Sequence, residues 1–277
     1  HTERLPEYIA RAYRVAMSGR PGPVVLALPE NMLSAQADVP DHVGLPKVAI
    51  AGNSQDAKQI IAGLRDAARP MIVVGGSHWS QTAGRDAVAL AEACSAPIVA
   101  GFRRQDYVDN RHSHYAGDLN VGINPRLAER VRQADCLLIL GSRFGDIETQ
   151  GYTLVDPSAP DKTILHVHPD ATEIGRVYGA DVAMVSEAPH ALKSLLQRAS
   201  APTSPRANWV SDCRADYENW IAPHESAGAV KQEAVITWLS QNLPENAVLT
   251  SGAGNYAAWL HRYFVHKQYG TQLAPTS

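Results

Sequence analysis

Asp135-Cys136-Leu137-Leu138-Ile139-Leu140-Gly141-Ser142-Arg143-Phe144-Gly145-Asp146 is the stretch whose reading decides the fold. Its apolar run, Cys136 to Leu140, enters a small-residue turn that delivers an arginine and then an aspartate. A run this short, bounded by glycine, reads as a strand buried on both faces. In a doubly wound sheet, ligands bind just past the carboxyl ends of such strands. The same stretch therefore supplies a core strand and a candidate site at Gly141, Ser142, Arg143 and Asp146.

The pattern repeats on either side. Upstream, the helix periodicity of residues 54–67 (Ile60, Ile61 and Leu64 on one face, Ser54 as N-cap) precedes the strand Met71–Val74, which ends in Gly75-Gly76-Ser77. A helix over 83–94 precedes the strand Pro97–Ala100, which ends at Gly101. Residues 102–124 read as a long loop, and 126–133 as the helix leading into Cys136. Downstream lie strands at Thr163–His168 and Val182–Val185 and a helix over 189–196. Five short apolar strands alternating with helices predict an α/β domain with a doubly wound parallel sheet, spanning residues 41–200. Right-handed crossovers place helices on both of its faces.

The flanks read as partial α/β domains, 1–40 and 201–277. The first has a helix over 5–18, the turn Gly19–Pro23 and a strand Val24–Leu28, followed by a Pro/Gly/Asp-rich linker over 30–53. After a second linker, 200–207, the last has helices over 209–221 and 228–243, the latter with a buried stripe of Val230, Ala234, Val235, Trp238 and Leu239. The strand Ala247–Thr250, the turn Ser251–Asn255 and a helix over 256–264 follow, and residues 272–277 add no closing element.

A net charge of -3 over 277 residues gives no basic field for nucleic acid. No apolar run reaches membrane-spanning length, and His1-Thr2-Glu3-Arg4 has no secretory apolar core. Cys94, Cys136 and Cys213 are far apart and odd in number, which suits buried thiols in a cytoplasmic protein.

Gly75, Gly76, Gly101, Gly141 and Ser142 let the backbone approach a phosphate closely, and the planar fork of Arg143 suits a phosphate or carboxylate. Open sheets also need such glycines for tight turns alone, and the spaced G-x-G-x-x-G fingerprint is absent. The turn containing Gly254, Asn255 and Tyr256 is a second strand–turn–helix of this kind. His166-x-His168 puts two imidazoles on one strand face near Asp170, a spacing that more often marks a strand than a metal pair. Trp79 and Trp259 read as packing residues, and His112 and His114 as solvated.

Three segments together resemble thiamine-diphosphate enzymes of the acetolactate synthase type. Gly19-Arg20-Pro21-Gly22-Pro23-Val24 through Pro29 is similar to the end of their pyrimidine-binding domain. Gly141-Ser142-Arg143-Phe144 with His166-Val167-His168-Pro169-Asp170 is similar to their central, Rossmann-like domain. Thr250 to Trp259 is similar to the opening of their diphosphate-binding domain. The resemblance implies a 2-oxo acid substrate, thiamine diphosphate and Mg2+ as cofactors, and a homo-oligomer (dimer or tetramer) acting as carboligase (transferase) or decarboxylase (lyase). It implies that Gly254, Asn255 and Tyr256 touch the cofactor's diphosphate, with Asn and Tyr where relatives commonly carry Gln and His. It also implies FAD or ADP, or no nucleotide, at Gly75, Gly76, Gly101, Gly141, Ser142, Arg143 and Asp146. His168 stands where many relatives have an acidic residue, and Ser186-Glu187 replaces a common Gly-Asp. The activating glutamate of the family and its metal-binding G-D-G motif are expected outside this chain, which by itself is expected to be inactive. Two rival readings are a non-catalytic scaffold holding FAD or ADP, and a sirtuin-like or flavoprotein-type nucleotide domain, which leaves the partial ends unexplained.

Overall fold

The computed structural model describes residues 1–40, 48–206 and 208–275. Residues 41–47 of the first expected linker, Ala207 of the second, and Thr276 and Ser277 lie outside the described residues. The chain forms two compact units, His1–Ile50 and Ala51–Ser277.

The first unit carries helix α1 (Leu5–Met17) and the short α2 (Glu30–Leu33). None of its described residues is buried. The strand expected at Val24–Leu28 is not formed, and Val25 is 90% exposed. A strand exists only through its ladder partner, and among the described residues this unit has none.

The second unit opens with α3 (Ser54–Asp66), β1 (Pro70–Val74), α4 (Gln81–Ala93), β2 (Ile98–Ala100), β3 (Tyr115–Asp118), α5 (Pro125–Gln133) and β4 (Cys136–Leu140). It continues through β5 (Thr163–His168), β6 (Val182–Val185), α6 (Ala188–Leu196) and α7 (Trp209–Ile221). The N-cap of α3 is Asn53 rather than Ser54, because the Asn53 side-chain oxygen accepts the N–H groups of Gln55 (2.8 Å) and Asp56 (2.9 Å).

The six strands run parallel in the order β3-β2-β1-β4-β5-β6. Because side chains alternate across a sheet, each strand feeds two cores. Ile72, Val74, Leu138, Leu140, Leu165 and Val167 pack with Ile60 and Leu64 of α3, Leu90 of α4 and Leu192 of α6. Met71, Val73, Leu137, Ile139 and Ile164 pack on the other face with Leu127 and Val131 of α5 and Trp209 of α7. The doubly wound parallel sheet read from the sequence is therefore present.

The sheet has one strand more than expected. β3 lies within the expected loop 102–124, and its Tyr-Ala-Gly-Asp sequence lacks the β-branched run that marks a strand. It is an edge strand held by register, Ile98 opposite Tyr115 and Ala100 opposite Asp118, with a bulge between them. Cys94, Cys136 and Cys213 are buried free thiols, and burial pushes them up to about 11, 12 and 12. No helix among the described residues is long and apolar enough to cross a membrane.

The C-terminal segment adds α8 (Gln232–Asn242), β7 (Leu249–Thr250), α9 (Ala257–Tyr263) and β8 (Gln272–Leu273), the two strands pairing in parallel. The stripe expected to be buried is not: on α8 Val235 and Trp238 are 49 and 61% exposed, and Val230, which precedes the helix, is 70% exposed. The helix instead buries Glu233, which accepts from Ser226 N and Oγ, and Ser240, whose hydroxyl accepts from Val265 N. A two-stranded sheet gives an apolar helix face little to cover.

Candidate functional site at the switch point

Strand order reverses direction between β1 and β4, so the switch point of the sheet lies between the loops that follow them. The ladder runs on into these loops, since Gly75 N donates to Leu140 O (3.0 Å), Gly101 N to Val74 O (2.7 Å) and Gly141 N to Val167 O (2.8 Å). Gly76 and Gly141 sit at φ +76° and +78°, a region that costs any L-residue strain. A Cβ on Gly76 would fall onto the Gly141 carbonyl oxygen, and one on Gly141 would come within 2.6 Å of Gly75 O. The two loops thus meet backbone to backbone.

Side chains lock the contact. Trp79 Nε1 donates to Gly75 O (2.7 Å), while Tyr107 Oη (2.6 Å) and Arg104 Nε (3.1 Å) donate to Gly76 O. Trp79 and Tyr107 stack with centroids 5.0 Å apart. Trp79 is thus a buried packing residue.

Beneath the loops lies Glu148, a buried carboxylate. The Ser142 hydroxyl donates to its Oε2, and Phe102 N donates to Oε1 at 3.2 Å. Burial raises its carboxyl above the usual range, a shift opposed by the Ser142 and Phe102 hydrogen bonds. Ser142 Oγ also accepts from Phe144 N (2.9 Å), and Ser142 O accepts from His166 Nε2 (2.9 Å). Burial lowers His166 to about 4, so its ring is neutral at physiological pH. His168 Nδ1 accepts the N–H of Asp170 (3.0 Å), so both histidines are committed to backbone. No group of three metal-ligating side chains occurs among the described residues.

Of the residues read from the sequence, Gly75, Gly76, Gly101, Gly141 and Ser142 converge at this edge, while Arg143 and Asp146 are exposed. Glu148 is the residue sequence reasoning missed. Its partners are 6 and 46 positions away, and no spacing marks it.

Gly254, Asn255 and Tyr256 form a separate turn between β7 and α9. Leu249 N donates to Thr271 O (2.8 Å) and Ser251 N to Leu273 O (3.1 Å), which fixes the turn to β8. β8 is held in turn by Asp106 Oδ2, which accepts from Gly270 N (2.9 Å) and Gln272 N (3.1 Å). The Tyr256 ring lies over Gly252 and Gly254, in the space a Cβ on either would need, and is 58% exposed.

Residues 57–195 match the family model described as thiamine pyrophosphate enzyme, central domain. The chain is 26% identical to the acetolactate synthase large subunit of Corynebacterium glutamicum, over 94% of this chain and 42% of that protein. It is also 26% identical to the acetolactate synthase isozyme 2 large subunit of Escherichia coli, over 95% of this chain and 47% of that protein. A probable acetolactate synthase large subunit of Methanococcus aeolicus is 24% identical over 95% of this chain and 47% of its own length. The chain thus spans less than half the length of these relatives. With its six-stranded parallel sheet and this match, the chain belongs to the thiamine pyrophosphate enzyme family, whose central domain it carries.

Proposed function

We propose that this chain works within a thiamine-diphosphate- and Mg2+-dependent enzyme acting on 2-oxo acids, an acetolactate synthase-like carboligase or a decarboxylase. The supporting observation is that similarity to acetolactate synthases runs through 94–95% of the chain, well beyond the central domain. In this reading residues 1–40 close a pyrimidine-binding domain, 41–200 are the central domain, and 201–277 open a diphosphate-binding domain. The enzyme is a cytoplasmic homo-oligomer.

When bound, thiamine diphosphate supplies the nucleophile and the electron sink for decarboxylating a 2-oxo acid. The turn at Gly254, Asn255 and Tyr256 leaves space over its bare glycines, which the Tyr256 ring now takes. These three residues would hold the diphosphate once that exposed ring turns aside. By itself the 277-residue chain is inactive, with the remaining catalytic groups supplied by other parts of the enzyme.

FAD or ADP is the further cofactor this family suggests for Gly75, Gly76, Gly101, Gly141, Ser142, Arg143 and Asp146. The residues there do not fit one: the loops after β1 and β4 are in contact, and the Glu148 carboxyl fills the space beside Gly75 and Gly101. The rival reading as a nucleotide-holding scaffold is weakened by the same geometry.

The test is product analysis of 13C-labelled pyruvate incubated with the full-length protein, thiamine diphosphate and Mg2+. Acetolactate marks the carboligase and acetaldehyde the decarboxylase. Absence of cofactor-dependent CO2 release from pyruvate and from longer 2-oxo acids overturns the proposal.

A further inference from the structure

A nucleotide bound across the end of a parallel sheet needs room between the strand-end loops and amides free to meet its phosphates. Room is what the crevice lacks, and several of its amides are already taken. The amides of Gly75, Gly101 and Gly141 are spent on the ladder, that of Phe102 on Glu148, and that of Phe144 on the Ser142 hydroxyl. The space beside Gly75 and Gly101 is taken, because a Cβ on Gly101 would strike Glu148 Oε1 and one on Gly75 would lie 2.9 Å from the Ser142 Cβ.

We infer that Glu148 is a built-in plug of the switch-point crevice, its carboxylate standing where a nucleotide's phosphate would sit, so that this central domain binds neither FAD nor ADP. The plug also fastens the fold. One side chain joins the loop after β2, through Phe102 N, to the loop after β4, through Ser142, while lying against Gly75 at the end of β1. Three glycine-rich turns that serve a ligand elsewhere here serve one another. The inference concerns the central domain alone and does not rest on the reaction proposed above.

The experiment titrates ADP by calorimetry and FAD by its visible absorbance into the wild-type chain, Glu148→Gln and Glu148→Ala, with thermal unfolding of each. Gln keeps the volume and an oxygen for Phe102 N, so Glu148→Gln is expected to melt near the wild type, whereas Glu148→Ala melts several degrees lower. Neither wild type nor Glu148→Gln is expected to show saturable nucleotide binding. Micromolar binding of ADP or retention of FAD by the wild type overturns the plug. A Glu148→Ala midpoint equal to that of the wild type overturns the fastening role. Should Glu148→Ala fail to fold, the fastening stands and the wild-type titration decides the question of nucleotide binding.

Discussion

Replacing Gly76 with alanine tests the contact that closes the switch point, and Gly122 supplies its control. Both glycines have φ +76°, so an alanine at either carries the same backbone penalty. For an L-residue in that region the penalty is about 1–2 kcal/mol. The surroundings differ: a Cβ at position 122 meets nothing within 4 Å, whereas one at position 76 falls on the Gly141 carbonyl oxygen. That atom is backbone, held by the ladder bond from Gly141 N to Val167 O, and cannot swing aside. Overpacking of this kind typically costs a further ~1–3 kcal/mol. Gly76→Ala should therefore cost roughly 2–5 kcal/mol and Gly122→Ala about 1–2 kcal/mol. The larger loss is a serious fraction of the ~5–15 kcal/mol that holds a typical domain together. Urea unfolding followed by tryptophan fluorescence suits the measurement, since the buried Trp79 indole is bonded to the neighbouring Gly75 carbonyl. Equal losses in the two variants would refute the contact between the loops after β1 and β4.

Further predictions concern the core, pH and the isolated chain. Leu138 is fully buried in β4, between β1 and β5, so Leu138→Ala should cost about 2–5 kcal/mol in the same unfolding assay. The fold lowers His166 from 6.5 to about 4 by burial, so the unfolded chain takes up a proton that the folded chain refuses. The associated stability is complete above pH 6.5 and is lost as pH falls toward 4, by roughly 3 kcal/mol. In His166→Gln the acid-induced loss over that window should shrink by a similar amount, and an unchanged pH slope would count against a neutral buried imidazole. Calorimetry on the 277-residue chain alone should show no micromolar, Mg2+-dependent binding of thiamine diphosphate.

The sheet was legible because its strands are short apolar runs buried on both faces; Met71–Val74 and Cys136–Leu140 have no alternative environment. What escaped depends on partners far away in sequence. Tyr115–Asp118 is a strand only because β2 offers it an edge, and Val24–Leu28 is not one because the described residues of its unit offer no edge. The α8 stripe has helical spacing, but periodicity says nothing of what covers a face, and Trp238 faces outward. At the site, the glycines were legible as turns. What fills the space between them was not, since Glu148 enters from beyond the turn and touches residues that no motif links to it.

A binding titration tests most directly whether thiamine diphosphate is held at the turn of Gly254, as proposed. Thiamine diphosphate with Mg2+ is titrated into the full-length protein that carries this chain and into its Gly254→Val variant. Saturable, Mg2+-dependent binding is expected in the wild type, weakened at least tenfold, about 1.4 kcal/mol, in the variant. Absence of binding in the wild type, or equal affinity in both proteins, would contradict it.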